Sequence, residues 1–358
     1  MSTLRAAAVL AAILHSVIAP AQEDPANLAD SVSVSGDLRL RYEMIREDEE
    51  EDRNRARFRG RVGIGADLSE DVRLFFGLAT GGGDPVSTNQ TFGEGFSTKD
   101  IGVNLAYAEW SINDRWQLTA GKMEKPWYRV GGTPLVWDSD LNPEGLVIAY
   151  QDGRFFGSAG SFIVVERSDE SETRLNTLQA GLTLPFSETS SLTAVIALFD
   201  YTNVIGQAPF HDGPEGNTVD AVGNYVFDYN ELEVGLQYDM LIGNWPLIIF
   251  GEYVQNTEVD REDTGWSAGV VLGRAKGSGT MQFGWAWQDT GADAVNSTYN
   301  DSDFADGVTD ADGHYLRARY NLREAVSLNG TFILSEFGGF TGTARDYSRI
   351  MLDLQLEF

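Results

Sequence analysis

The chain has no cysteine in 358 residues, so neither disulfides nor thiolate metal sites can hold it together. Past the N-terminal stretch, no window reaches the roughly 20 apolar residues that a membrane-spanning helix needs. Histidine is almost missing. Only His211 and His314 lie beyond residue 21, and no HExxH motif or glycine-rich phosphate loop accompanies them. Catalysis therefore finds little support. Positive charge is also in deficit: 26 Lys and Arg stand against 54 Asp and Glu, for a net charge of −28. A phosphate backbone selects basic surfaces, so nucleic acid is excluded as a partner.

Residues 1–21 read as a cleaved secretory signal, with one charge at Arg5, an apolar core over 6–18 and a small-x-small site at Ala19-Pro20-Ala21. Residues 22–30 follow as a short periplasmic segment, and 31–358 form the main domain. Ile350, Leu352, Leu354, Leu356 and Phe358 share one parity at the C-terminal end, while Arg349, Asp353, Gln355 and Glu357 share the other. A period of two means a strand with one apolar and one polar face. Sixteen such segments can be marked between 31 and 358. The segment over 99–112 changes parity near Glu109-Trp110, where a bulge is expected. Those over 144–151 and 154–166 are apolar on both parities.

The connections alternate short and long, with the longest near 82–98, 125–143, 204–225 and 291–312. Polar-in, apolar-out strands joined by short turns at one end and long loops at the other are the pattern of a transmembrane antiparallel β-barrel in a bacterial outer membrane. A lipid-free sandwich has no reason to keep such phase. The expected fold is all-β, a barrel of about 16 strands closed by the strand that ends on Phe358. Trp116, Trp245, Trp266, Tyr238, Tyr320 and Phe186, near segment ends, suit the aromatic girdles at the lipid interfaces. Glycine, at 39 residues, is spread through the strands instead of gathering in linkers, and mean hydropathy is −0.23.

Arg53, Arg55, Arg57, Arg59 and Arg61 recur at a spacing of two, which places five guanidiniums on one strand face at about 6.8 Å per step. Arginine facing lipid in mid-strand costs about 2–4 kcal/mol, so this face must point into the lumen, with Phe58 outward. Arg39, Arg41, Arg73, Arg317, Arg319, Arg323 and Arg349 lie on segments that closure makes neighbours. A basic arc of twelve pore-lining arginines is therefore expected, partly paired with Asp37, Glu43, Asp353 and Glu357. The loop near 125–143 carries Trp127, Tyr128, Trp137, Asp138 and Asp140, with Glu144 just beyond. Its carboxylates across from a basic wall would set up a transverse field. The Asp-rich stretch 289–312 is expected to be a solvated acidic loop; calcium is conceivable, but EF-hand spacing is absent.

The stretch Ala120-Gly121-Lys122-Met123-Glu124-Lys125-Pro126-Trp127, followed by Leu135-Val136-Trp137-Asp138-Ser139-Asp140-Leu141-Asn142-Pro143-Glu144-Gly145, resembles the "putative porin" family of Gram-negative bacteria. The resemblance extends from the first strand to Phe358. It implies a sixteen-stranded, trimeric diffusion pore, without cofactor, whose third external loop folds inward to constrict it. One departure is clear: the Pro-Glu-Phe-Gly-Gly stretch of many general porins is missing from that loop, and Glu336-Phe337-Gly338-Gly339 lies in the eighth. The expected partners are outer-membrane lipid and lipopolysaccharide, the barrel-assembly machinery through the C-terminal strand, and small solutes or ions. Two other readings stay open: an anion- or phosphate-type channel, and a structural or receptor-like barrel with a plugged lumen.

Overall fold

The computed structural model describes residues 31–168, 171–340 and 342–358; the expected signal and the segment 22–30 lie outside them. The described residues form seventeen strands: β1 (Val32–Glu47), β2 (Arg53–Asp67), β3 (Val72–Thr80), β4 (Gln90–Thr91), β5 (Ile101–Asn113), β6 (Trp116–Lys122), β7 (Glu144–Asp152), β8 (Phe155–Val165) and β9 (Thr173–Ser187). They continue as β10 (Ser190–Thr202), β11 (Asn230–Ile242), β12 (Trp245–Asn256), β13 (Thr264–Gly273), β14 (Met281–Thr290), β15 (Ala311–Arg323), β16 (Val326–Phe337) and β17 (Arg345–Glu357). Every pairing is antiparallel; sixteen strands pair in chain order, β3 meeting β5 directly, and β17 pairs with β1 to close the barrel. Closure leaves no exposed edge. The two-residue β4 lies outside the barrel sequence: β3 is shorter than β2, and β4 pairs with the upper part of β2 at Arg57 and Phe58.

The alternation of the sequence maps onto two faces. Leu40, Tyr42, Val62, Ile64, Val234, Leu236 and Leu352 are exposed on the outside, whereas Glu43, Glu231, Glu233 and Arg349 are buried inside. The terminal residue completes the seam: Gly36 and Phe358 exchange backbone hydrogen bonds of 3.1 and 3.0 Å. A Cβ at Gly36 would lie 2.4 Å from the Arg61 carbonyl oxygen and 2.7 Å from the Phe358 ring, so only glycine fits there.

Two expectations about local structure are corrected. The parity change in β5 is not at Glu109-Trp110. The register with β3 skips Asn104, and that with β6 skips Ile112, so single unpaired residues at these two points shift the faces. The stretch 289–312 is not a solvated acidic loop. It folds into the lumen, burying Ala292, Val295, Phe304 and Ala305 together with Asp293 and Asp301. The apolar residues interleaved with its aspartates drive this burial.

Candidate functional site

Three of the long connections enter the barrel: 81–100, 123–143 and 291–310, here L2, L3 and L7. L3 packs against the inner wall of β7 to β12. Trp127 and Trp137 are buried with ring centroids 4.9 Å apart, and both meet Phe199 edge-on at 5.4 and 5.0 Å. Val147 and Phe162 complete that contact, which explains why their segments are apolar on both parities: the inner face is covered by protein, not water. Polar ties fix the loop. The Tyr128 N–H donates to Gln179 Oε1 at 2.7 Å, and Gln179 Nε2 donates back to the Tyr128 carbonyl at 3.0 Å. Lys125 Nζ donates to the Ser139 and Leu141 carbonyls at 3.0 and 2.6 Å, holding the loop's two limbs together. Gly131, at φ 59°, lies so close to Phe250 that a Cβ would meet its ring at 2.3 Å.

L7 is held from the other side. Asn217 Nδ2 donates to the Ala292 and Val295 carbonyls at 2.7 and 2.9 Å, and the Asn296 N–H donates to Glu231 Oε1 at 2.9 Å. L3 and L7 are tied to each other: the Asp138 N–H donates to the Tyr299 carbonyl at 2.8 Å, and the Ser302 N–H to Asp138 Oδ2 at 3.0 Å. Asp301 accepts from the Tyr315 hydroxyl.

Across from these loops stands the arginine wall. Glu43, fully buried, is surrounded by Arg41, Arg55, Arg57 and Arg349 at 3.5, 2.5, 3.4 and 3.1 Å. Arg41 also grips Asp353 at 2.7 Å. Asp37 takes Arg59 and Arg61 at 3.0 and 2.6 Å. The loops reach this wall with one carboxylate each. Asp140 of L3 pairs with Arg59 at 3.1 Å, and Asp303 of L7 pairs with Arg349 and Arg41 at 2.8 and 3.3 Å. L2 adds Asn89, which accepts from Arg39 at 2.7 Å, and Ser87, which accepts from Arg57 at 3.4 Å. The result is a charged girdle across the lumen. A cavity of 590 Å³ lined by Asp37, Arg61, Lys125 and Asp140 lies on its short-turn side. One of 310 Å³ lined by Arg55, Arg57, His211 and Arg349 lies on its long-loop side.

The girdle sorts its acids by surroundings. Burial alone would raise Asp303 and Asp140, but Arg349 and Arg41 around the first, and Arg59 and Arg39 around the second, hold both below the usual carboxylate range. Asp138 goes the other way, pushed well above that range by burial and by Asp301 and Asp140. Burial also lowers Lys125 to about 8, with Arg129 adding to the effect.

Of the twelve arginines read from the sequence, seven meet in the girdle: Arg39, Arg41, Arg55, Arg57, Arg59, Arg61 and Arg349. The other five do not. Arg53 is exposed at the long-loop rim and Arg323 at the short-turn end. Arg73, also exposed, is 3.6 Å from Asp67. Arg319 pairs with Glu357 at 3.0 Å, and Arg317 lies 4.8 Å from the Tyr315 ring centre. Glu144 is corrected as a group facing the lumen: it begins β7, shares the parity of outward Leu146, and pairs with Lys122 at 2.8 Å. Sequence reasoning missed the inward turn of L2 and L7, and with it Asn89 and Asp303. The run Ala292, Ala294, Val295, Phe304, Ala305 within an acidic stretch was the available signal for L7.

Comparison with known proteins points one way. The model of the family described as "Putative porin" matches residues 16–218 and 216–358. No curated protein matches this sequence. Among solved structures, a high-pH structure of Pseudomonas putida OprB superposes with a TM-score of 0.63 at 13% identity, covering 92% of this chain and 95% of that one. Salmonella typhi OmpF in complex with daunomycin gives 0.54 at 12% identity, covering 91% and 97%. A triple mutant of the Rhodopseudomonas blastica porin gives 0.52 at 12% identity, covering 91% and 100%. At these identities the structures speak for the fold alone.

Proposed function

The chain belongs to the "Putative porin" family and is an outer-membrane porin channel, and from that premise we propose that it passes small hydrophilic solutes passively through a polarised constriction. The observation that carries this reading is the girdle. Guanidiniums of β1, β2 and β17 stand on one side, with Asp140 and Asp303 reaching them from L3 and L7. Fixed opposite charges across a narrow, low-dielectric passage orient dipolar solutes and disfavour apolar ones. On this reading the twelve arginines divide labour: the seven of the girdle select, Arg53, Arg73, Arg319 and Arg323 shape the mouths, and Arg317 stands at mid-strand beside L3. Trp127, Tyr128 and Trp137 seat the constricting loop, and Asp138 and Asp140 join it to L7 and to the wall.

The finer assignments follow the same reading. The signal over 1–21 is removed on export and 22–30 stays periplasmic. The protein assembles as a homotrimer among outer-membrane lipid and lipopolysaccharide, and Phe358 at the seam presents the C-terminal strand to the barrel-assembly machinery. The lumen has no catalytic task and needs no cofactor. His211 lies in the loop 203–229, while His314 faces outward, its ring 6.0 Å from that of Trp285. Planar-bilayer recording is the decisive test. Stepwise ion-sized openings from the purified protein are expected; their absence would leave a plugged structural or receptor-like barrel instead.

A further inference from the structure

Seven girdle guanidiniums face five carboxylates, Asp37, Glu43, Asp140, Asp303 and Asp353, an excess of two positive charges. The excess is not spread evenly. Arg39 has no ion pair among the described residues, and the one side-chain acceptor it meets is the neutral Asn89 amide. Its Nε–H is buried without a partner, as are those of Arg57 and Arg59 beside it. Buried donors left unmade cost free energy, so these guanidiniums are under-satisfied as they stand and gain most from an acceptor that takes the place of a weak partner. Asn89 and Ser87 are the removable neighbours. Both belong to L2, linked by an Asn89 Nδ2 to Ser87 Oγ bond of 3.2 Å, and they occupy Arg39 and Arg57 through weaker, uncharged contacts.

Resting on the porin reading above, we infer that Arg39 and Arg57 form a transit site for small monovalent carboxylates, which displace Asn89 and Ser87 as they pass. A carboxylate matches a guanidinium fork with two parallel N–H···O bonds, shorter and stronger than the amide contact it replaces. One guanidinium fork pairs with one carboxylate, so a monocarboxylate fills the site in full. The site is therefore a selective step within a general pore.

The test is bilayer recording of chloride current with lactate added to one side, on the wild type, Arg39→Gln, Arg39→Lys and Arg73→Gln. Arg73→Gln removes the same charge from an exposed position outside the girdle and controls for net charge. In the wild type, lactate should reduce the current in a saturable way. Arg39→Gln should raise the half-blocking concentration about tenfold, the scale of one charge-assisted hydrogen bond. Arg39→Lys should retain the chloride preference while losing most of the block, since ammonium has no fork. Equal effects of Arg39→Gln and Arg73→Gln would overturn the site, and so would block by phosphate with none by lactate. Failure of all four proteins to open would overturn the porin reading instead, so the two failures are distinct.

Discussion

On β7, β8 and β10 the inner wall is apolar and dry, with Phe162 and Phe199 buried against the tryptophans of L3. Along β17, β1 and β2 it is a lattice of guanidiniums and carboxylates reached by solvent from both ends. The two halves do different work with the same backbone. The dry half supplies adhesion, because burying large rings is strong and non-directional. On the proposed reading the charged half supplies discrimination, because it leaves donors whose pairing a passing solute can change. A constricting loop needs both: a surface to stick to, and a surface to face.

The largest break in this contrast should come from the dry half. Trp137→Ala would remove a buried ring worth about 3–5 kcal/mol and free L3 from its seat. New protease cleavage within 125–143 and a larger conductance are expected; an unchanged channel would mean the rings do not hold the loop. Next is the register that assigns each half its faces. Phe58 points outward and is half-buried, its ring 5.3 Å from that of Phe92. Phe58→Arg should impair assembly by about 2–4 kcal/mol, read as folded fraction after insertion, whereas Arg57→Ser should insert normally and weaken anion preference. The reverse result would place the register one residue off.

The smallest effect expected is that of pH. Asp140 and Asp303 have lowered values, so their contribution to loop seating is present above the ordinary aspartate value, near 3.8, and is lost as pH falls through the lowered ones. Asp138 has a raised value, so its contribution is complete below that ordinary value and is lost as pH rises through the raised one. Seating should therefore be firmest near pH 4 and weaken on either side. Open-channel noise recorded from pH 3 to 8 should pass through a minimum there. A flat profile would sever the link between these carboxyls and the loops.

What could be read in the sequence was whatever depends on local period. Sixteen strands, their inward and outward faces, and the arginine ladder all follow from alternation, and the seam was legible because the strand ending on Phe358 obeys the same rule. What could not be read depends on partners far along the chain. L7 turns inward because Asn217, some 75 residues away, takes up its carbonyls, and because Glu231 receives its Asn296 N–H. Charge alone suggested a wet loop, and burial overrode it. Glu144 was assigned to the lumen by proximity to L3, although a single residue of register puts it on the outer face. The bulges at Asn104 and Ile112 leave no mark on composition.

The seam between β1 and β17 also sets an order of events during folding. Arg41 and Asp353 are separated by 312 residues, and Glu43 and Arg349 by 306. Bringing such distant residues together costs about 5 kcal/mol of chain entropy on the logarithmic law for loop closure, and nothing offsets that cost until the strands actually zip. Before then Glu43 lacks Arg349, Arg41 lacks Asp353, and Asp303 has no complete socket for L7 to enter. On the proposed reading, the last hydrogen bonds of the cylinder and the first working state of its filter thus arise in one step, so a barrel caught half-zipped in the membrane is a hole without discrimination.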